Sequence, residues 1–230
     1  MVNITSSLKK IILVSIFTCV GASSLYASIS STMDSDKVVS VLLQNYGERA
    51  SKRGKAWIKL LNGNYSTDQS KLQSTNRFFN QLRFTTDQKL WGESNYWATP
   101  VEFIGANAGD CEDFAVAKYF SLLSLGITDE KLRIIMVKAV TLNQYHMVVA
   151  YYKKPTSEPL ILDNIDGRIK LASQRKDLIP VYSFNGKQLW LNNEKRQGVV
   201  AGKPSRLKRW NDLNHRMGLD QLRQPVTVME

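Results

Sequence analysis

The texture of the chain changes once, at Gly126, and that change limits the fold more than any single motif. Before it, apolar residues recur at helical spacing: Val38, Val39, Leu42 and Leu43, then Trp57, Leu60 and Leu61, with a break at Asn62-Gly63-Asn64. Ser66, with Gln69 three residues on, predicts a capping box opening a helix that carries Leu72, Phe78, Phe79 and Leu82. After Gly126 come short runs rich in β-branched and aromatic residues, at 132–140, 145–152 and 159–163, each bounded by polar turns. Further strands are expected near 168–171, 181–184 and 188–191, with Asp166-Gly167 as a hairpin turn. A last helix over 206–217 would use Leu207, Trp210, Leu213 and Met217 as its apolar positions. Helices first and strands second is the order of an α+β domain, N-terminal helices followed by an antiparallel sheet. With 230 residues, 43% of them hydrophobic, there is material for one packed domain with a small helical annex.

The first residues point to export. Lys9 and Lys10 precede the apolar run IILVSIFTCV, small residues follow, and a cut after Ala27 completes the pattern of a secretory signal. The run is short for a membrane span, so the exported chain is expected to be free of the bilayer; the alternative is an uncleaved anchor. A lipoprotein signal at Cys19 is disfavoured by Phe17 and Thr18, which are not small. The expected organisation is a signal peptide over 1–27, a helical part over 28–92, and a core over 93–230 that ends in a basic tail. Loss of the signal takes Cys19 with it and leaves Cys111 as a single thiol in an oxidising, periplasmic compartment, where exported proteins mostly pair their cysteines. That favours a reactive thiol, against the other reading of a small buried hydrophobe. The formal charge of +11 fits a solvated basic surface; no nucleic-acid motif accompanies it.

Two helix starts stand close together. Thr99-Pro100-Val101-Glu102 has a cap, a proline at the first helical position and an acid that reaches back to the cap. In Asn107-Ala108-Gly109-Asp110-Cys111-Glu112-Asp113-Phe114, Asp110 caps a second helix with Asp113 at its third position. The thiol therefore sits among three carboxylates, which oppose thiolate formation unless something offsets them. His146 lies in a strand, on one face with Val148 and Ala150, and Asp163 ends the next strand. Taken singly, His146 reads as a core residue and Asp163 as a turn former. Taken together, Cys111 at a helix N-terminus, His146 on a strand and Asp163 on its antiparallel neighbour supply a nucleophile, a general acid/base and the carboxylate that orients it. The Cys111 backbone N–H is a ready oxyanion donor; a second is sought near Trp97.

YWATPVEFIGANAGDCEDFAVAKYFSLLSLGI, then YHMVVAYY, then PLILDNIDG, resembles the bacterial transglutaminase-like cysteine proteinase family, and within it the periplasmic proteases of the LapG type. The resemblance implies a papain-like and transglutaminase-like fold with Cys111, His146 and Asp163 as the catalytic triad. It also implies dependence on calcium and cleavage of a large surface adhesin near its N-terminal region, at a pair of alanines. Control would come from an inner-membrane receptor of the LapD type that senses cyclic di-GMP. Calcium suits Asp110, Glu112 and Asp113, which offer hard oxygen ligands; three acids need carbonyls and waters to complete the shell. The competing readings are acyl transfer to an amine by the same triad, and a binding module without catalysis.

Overall fold

The structure is a computed structural model describing residues 34–192 and 198–229; the expected signal peptide lies outside them. Helix α1 (Ser35–Leu61) starts on Asp34, whose carboxylate accepts the N–H groups of Asp36 and Lys37 at 3.0 and 3.3 Å. It is interrupted at Gly47, where φ of +85° takes the backbone out of the helix. The two halves fold back on one another, because a Cβ on Gly54 would lie 2.3 Å from Cδ1 of Leu42. Helix α2 (Asp68–Phe79) is capped by Thr67, which accepts from Ser70 N–H, and not by the expected Ser66. Extended dihedrals at Thr67 put its hydroxyl over the third helical N–H, one residue later than the sequence pattern suggested.

A two-residue strand β1 (Arg83–Phe84), short helix α3 (Asp87–Trp91), helix α4 (Pro100–Ala106) and strand β2 (Ala108–Gly109) lead to helix α5 (Cys111–Ser124). The box at Thr99 forms as expected: Glu102 N–H donates to the Thr99 hydroxyl at 3.2 Å and Thr99 N–H to the Glu102 carboxylate at 2.7 Å. Helix α5 is buried on nearly all sides. One side meets α1, α2 and α4 through Trp57, Phe79, Phe103 and Phe114. The other meets the sheet and the last helix through Val116, Tyr119, Phe120, Ile134, Val149, Phe184 and Trp210.

The sheet contains β3 (Leu132–Ala139), β4 (Gln144–Tyr151), β5 (Leu160–Leu162), β6 (Lys170–Leu171), β7 (Leu178–Phe184), β8 (Leu189–Asn192) and β9 (Gly198–Gly202). Its order is β6-β5-β4-β3-β7-β8-β9, and every neighbouring pair is antiparallel. This is the expected α+β order, N-terminal helices followed by an antiparallel sheet. Strand β9 was not anticipated. Asp166-Gly167 is not a two-residue hairpin: the β5–β6 connection spans 163–169, and Asp166 spends its carboxylate on Arg168 and Lys170. The last helix, α6 (Lys208–His215), is shorter than expected because Pro204 first opens a 3₁₀ turn closed by Leu207 N–H. Among the described residues no helix is long and apolar enough to cross a membrane.

Two features of this frame position the site. Strand β5 joins β4 only from Val149 onward, so the edge of β4 at His146 and Met147 is open. The parallel β1–β2 pairing, Arg83 with Ala108 and Phe84 with Gly109, ties the start of α3 to the loop before α5.

Candidate active site

The sulfur comes to the open edge of β4. Cys111 is the first residue of α5, and its Sγ receives the backbone N–H of Met147, which β5 leaves unpaired. Cys111 and His146 line one cavity of about 600 Å³, together with Trp97, Glu112, Met136 and Tyr182; Lys208 and Arg209 stand at its rim. His146 Nε2 lies 2.7 Å from Asp163 Oδ1, and both residues are buried. With Nε2 committed to Asp163, Nδ1 is the ring nitrogen left for the cleft. Asp163 follows the last residue of β5, and its Oδ1 also accepts Ile165 N–H at 3.0 Å. Asn80, the cap at the C-terminus of α2, holds its carbonyl at 2.8 Å, and Arg175 holds Oδ2 at 2.7 Å. Burial pushes Asp163 up, but the hydrogen bond and charge of His146, with Ile165 N–H and Arg175, outweigh it and hold the carboxyl well below the usual range.

The acid-rich turn beside the sulfur has the opposite balance. The Cys111 thiol donates to Glu112 Oε2 at 3.1 Å. Burial, the charges of Glu112 and Asp110 and this hydrogen bond all push the thiol up, against the Met147 N–H, which pulls it down. Asp113 accepts Ala98 N–H at 2.7 Å on one oxygen and Asp110 N–H at 3.1 Å on the other. Asp87, carried in by the β1–β2 tie, accepts Tyr96 N–H at 2.6 Å. Carboxylate oxygens of Asp87, Asp110 and Asp113 lie within 4.8 Å of one another, and Glu112 forms a second group with Asp110 and the sulfur. Burial and the neighbouring acids push Asp87 up to about 6, Asp110 up to about 12, and Asp113 well above its usual value.

A cation fits this donor set. One oxygen of Asp87 and one of Asp110 are buried with no hydrogen-bond partner among the described residues. Gly109 leaves the space open, since a Cβ there would lie 2.4 Å from Asp113 Oδ2. The group Asp87, Asp110 and Asp113 is all oxygen, the hard donor type that suits calcium.

The sequence profile of the bacterial transglutaminase-like cysteine proteinases matches residues 50–197, well over half of the chain. The chain belongs to that family. Calcium-bound LapG of Legionella pneumophila is similar at 40% identity, covering 80% of this chain and 99% of its own, with a TM-score of 0.70. EGTA-treated LapG of the same organism is similar at 40% identity, covering 80% and 97%, with a TM-score of 0.71. No curated protein matches significantly.

Sequence reasoning brought Cys111, His146 and Asp163 to one place, and Asp110, Glu112 and Asp113 to one turn. It missed Asp87, whose approach depends on the β1–β2 pairing, and Arg175, which arrives from a loop with no local signal. Near Trp97, the N–H groups of Tyr96 and Ala98 are spent on Asp87 and Asp113, so neither is available to an oxyanion.

Proposed function

We propose that this cysteine proteinase is a calcium-dependent periplasmic endopeptidase that cleaves a large surface adhesin and so releases it, favouring biofilm dispersal. The observation that carries the peptidase chemistry is the shared cavity of Cys111 and His146, with Asp163 2.7 Å behind the imidazole. Asp163 fixes the Nε2–H tautomer, and Nδ1 takes the thiol proton as sulfur attacks the scissile carbonyl carbon. The carbonyl oxygen becomes an oxyanion facing the Cys111 N–H at the helix start. Collapse breaks the C–N bond, the leaving amine takes the proton from His146, and a thioester remains. Water, giving a proton to Nδ1, attacks that thioester; the acid leaves, and sulfur recovers the proton.

Asp87, Asp110 and Asp113, with Glu112 beside them, would hold calcium, which when bound cancels the charge opposing the thiolate and braces the loop that presents it. The similarity to calcium-bound LapG supports this choice of ion. The signal-like residues 1–27 support export, and the family resemblance supports the adhesin as substrate and a LapD-like, cyclic di-GMP-sensing receptor as regulator.

The test incubates purified protein with N-terminal adhesin fragments, with calcium and with EGTA. Cleavage is expected only with calcium, with calcium but not magnesium restoring it after EGTA, and Cys111→Ala is expected to abolish it without changing the melting temperature. Cleavage by Cys111→Ala protein sinks the reading. Mass spectrometry separates hydrolysis, seen as two fragments that together gain one water, from acyl transfer, seen as a crosslink.

A further inference from the structure

Arg175 is a buried cation that touches the cleft only through Asp163. It lies in the loop between β6 and β7 and is 4% exposed. Its Nε donates to Asp177 Oδ1 at 3.0 Å, and its Nη2 donates both to Asp177 Oδ2 at 2.8 Å and to Asp163 Oδ2 at 2.7 Å. Asp163 is thereby gripped at three points: Oδ1 by His146 and Ile165 N–H, Oδ2 by Arg175, and the carbonyl by Asn80. Arg175 also lines a separate cavity of about 560 Å³ whose floor is Ile135, Val137, Val148 and Ile161, on the sheet face that carries His146.

A buried carboxylate whose sole charged neighbour is an imidazole can take the proton it is meant to orient. A guanidinium on its other oxygen prevents this, because arginine keeps its own proton and favours the anion. The guanidinium alone would also weaken the pull of Asp163 on an imidazolium. Asp177 restores that pull: with His146 protonated, the chain His146, Asp163, Arg175, Asp177 alternates in sign and sums to zero. With His146 neutral, it carries one net negative charge. The fourth charge therefore keeps Arg175 from cancelling Asp163 at the ring.

We propose that Arg175 is a positioning residue of the triad, one that fixes Asp163 as an oriented anion behind His146 and is itself neutralised by Asp177. This rests on the peptidase reading for its consequence in rate, and on geometry alone for its consequence at the imidazole.

The experiment uses the calcium-loaded protein with Arg175→Met, Arg175→Lys and Asp177→Asn. Turnover is followed on a quenched fluorescent peptide with a central Ala-Ala bond, and the His146 ring by ¹⁵N NMR in the Cys111→Ser background. Arg175→Met is expected to lower kcat by roughly 10–100-fold, the scale of lost supporting contacts, with KM within about twofold. Its ring resonances are expected to move away from the single Nε2–H tautomer of the parent. Arg175→Lys keeps the charge without the fork and is expected to recover part of both effects. Asp177→Asn, which leaves Arg175 and Asp163 in place, is expected to shift both readouts less, in the same direction. Unchanged ring signals and kcat in a folded Arg175→Met protein overturn the proposal. If Arg175→Met does not fold, unchanged ring signals in Asp177→Asn overturn it. A parent protein that cleaves nothing fails the peptidase reading instead, and the ring signals still decide the role of Arg175.

Discussion

Asp163 and the trio Asp87, Asp110 and Asp113 are the same kind of side chain, all in or beside one cleft, yet they are pushed in opposite directions. Asp163 has a donor on each oxygen, two of them on potentially cationic groups, and stays anionic. In the trio, two oxygens have no partner and the nearest charges are other acids, so all three carboxyls are driven up. Burial is common to both. What separates them is whether the chain brings its own cations, as it does with His146 and Arg175, or leaves the charge to be met from outside.

The comparison breaks most visibly under the same operation at both places. Asp163→Ala is expected to lower kcat by on the order of 10³, and to cost about 3–5 kcal/mol in a denaturant titration, because Arg175 and His146 lose a buried counter-charge. Asp110→Asn is expected to do the reverse for stability in EGTA, raising the melting temperature. It should also weaken calcium binding by roughly 10–100-fold in calorimetry. A loss of stability in EGTA, or unaltered calcium binding, would show that the trio is not a cation site.

pH sharpens the same contrast. In calcium-free protein the folded state holds the Asp87 proton up to about pH 6, against about 4 in the unfolded chain. The stability it contributes is complete below about pH 4 and is lost as pH rises through 6. Asp163, depressed on folding, contributes stability that is present above about pH 4 and lost as pH falls below it. Melting temperature in EGTA is therefore expected to fall as pH rises above about 4 and to go on falling past 6, because Asp110, pushed up to about 12, and Asp113 hold their protons longer still; calcium is expected to reduce that fall, and a flat profile in EGTA would contradict it.

The smallest effect concerns Lys118, buried on α5, which burial pulls down to about 7 while Asp163 pulls it partly back. Lys118→Met is expected to add on the order of 1 kcal/mol at pH 6 and less at pH 9, since the buried charge is present mainly at the lower pH. A loss of stability at pH 6 would place Lys118 with His146 and Arg175 as a counter-charge that Asp163 needs.

Local signals carried much of this. The Thr99 box, the Asp110 cap and the strand runs at 132–140 and 145–152 were legible because each is decided within a few residues. His146 and Asp163 were legible as a pair because antiparallel strands bring consecutive elements together. Asp87 was not, since a two-residue parallel pairing with Ala108 and Gly109 leaves no periodicity to see. Arg175 sits in irregular backbone, where sequence says little about direction. Strand β9, Gly198–Gly202, has glycine at both ends and too few residues to alternate visibly. Ser66 and Thr67 are equally good caps by composition, and only the dihedrals choose between them.

Glu102 began as a capping acid and ends as a junction. Its two oxygens receive Thr99 N–H, the Tyr96 hydroxyl, Arg216 and Arg223 N–H, while Arg216 also binds the carbonyl of Trp97 on the cleft wall. Opening of residues 96–102 would strand donors on Arg216 and Arg223, and opening of 216–223 would leave the buried Glu102 carboxylate without its cation. They form one cooperative unit, and their amide hydrogens should exchange with a common opening free energy despite the length of chain between them.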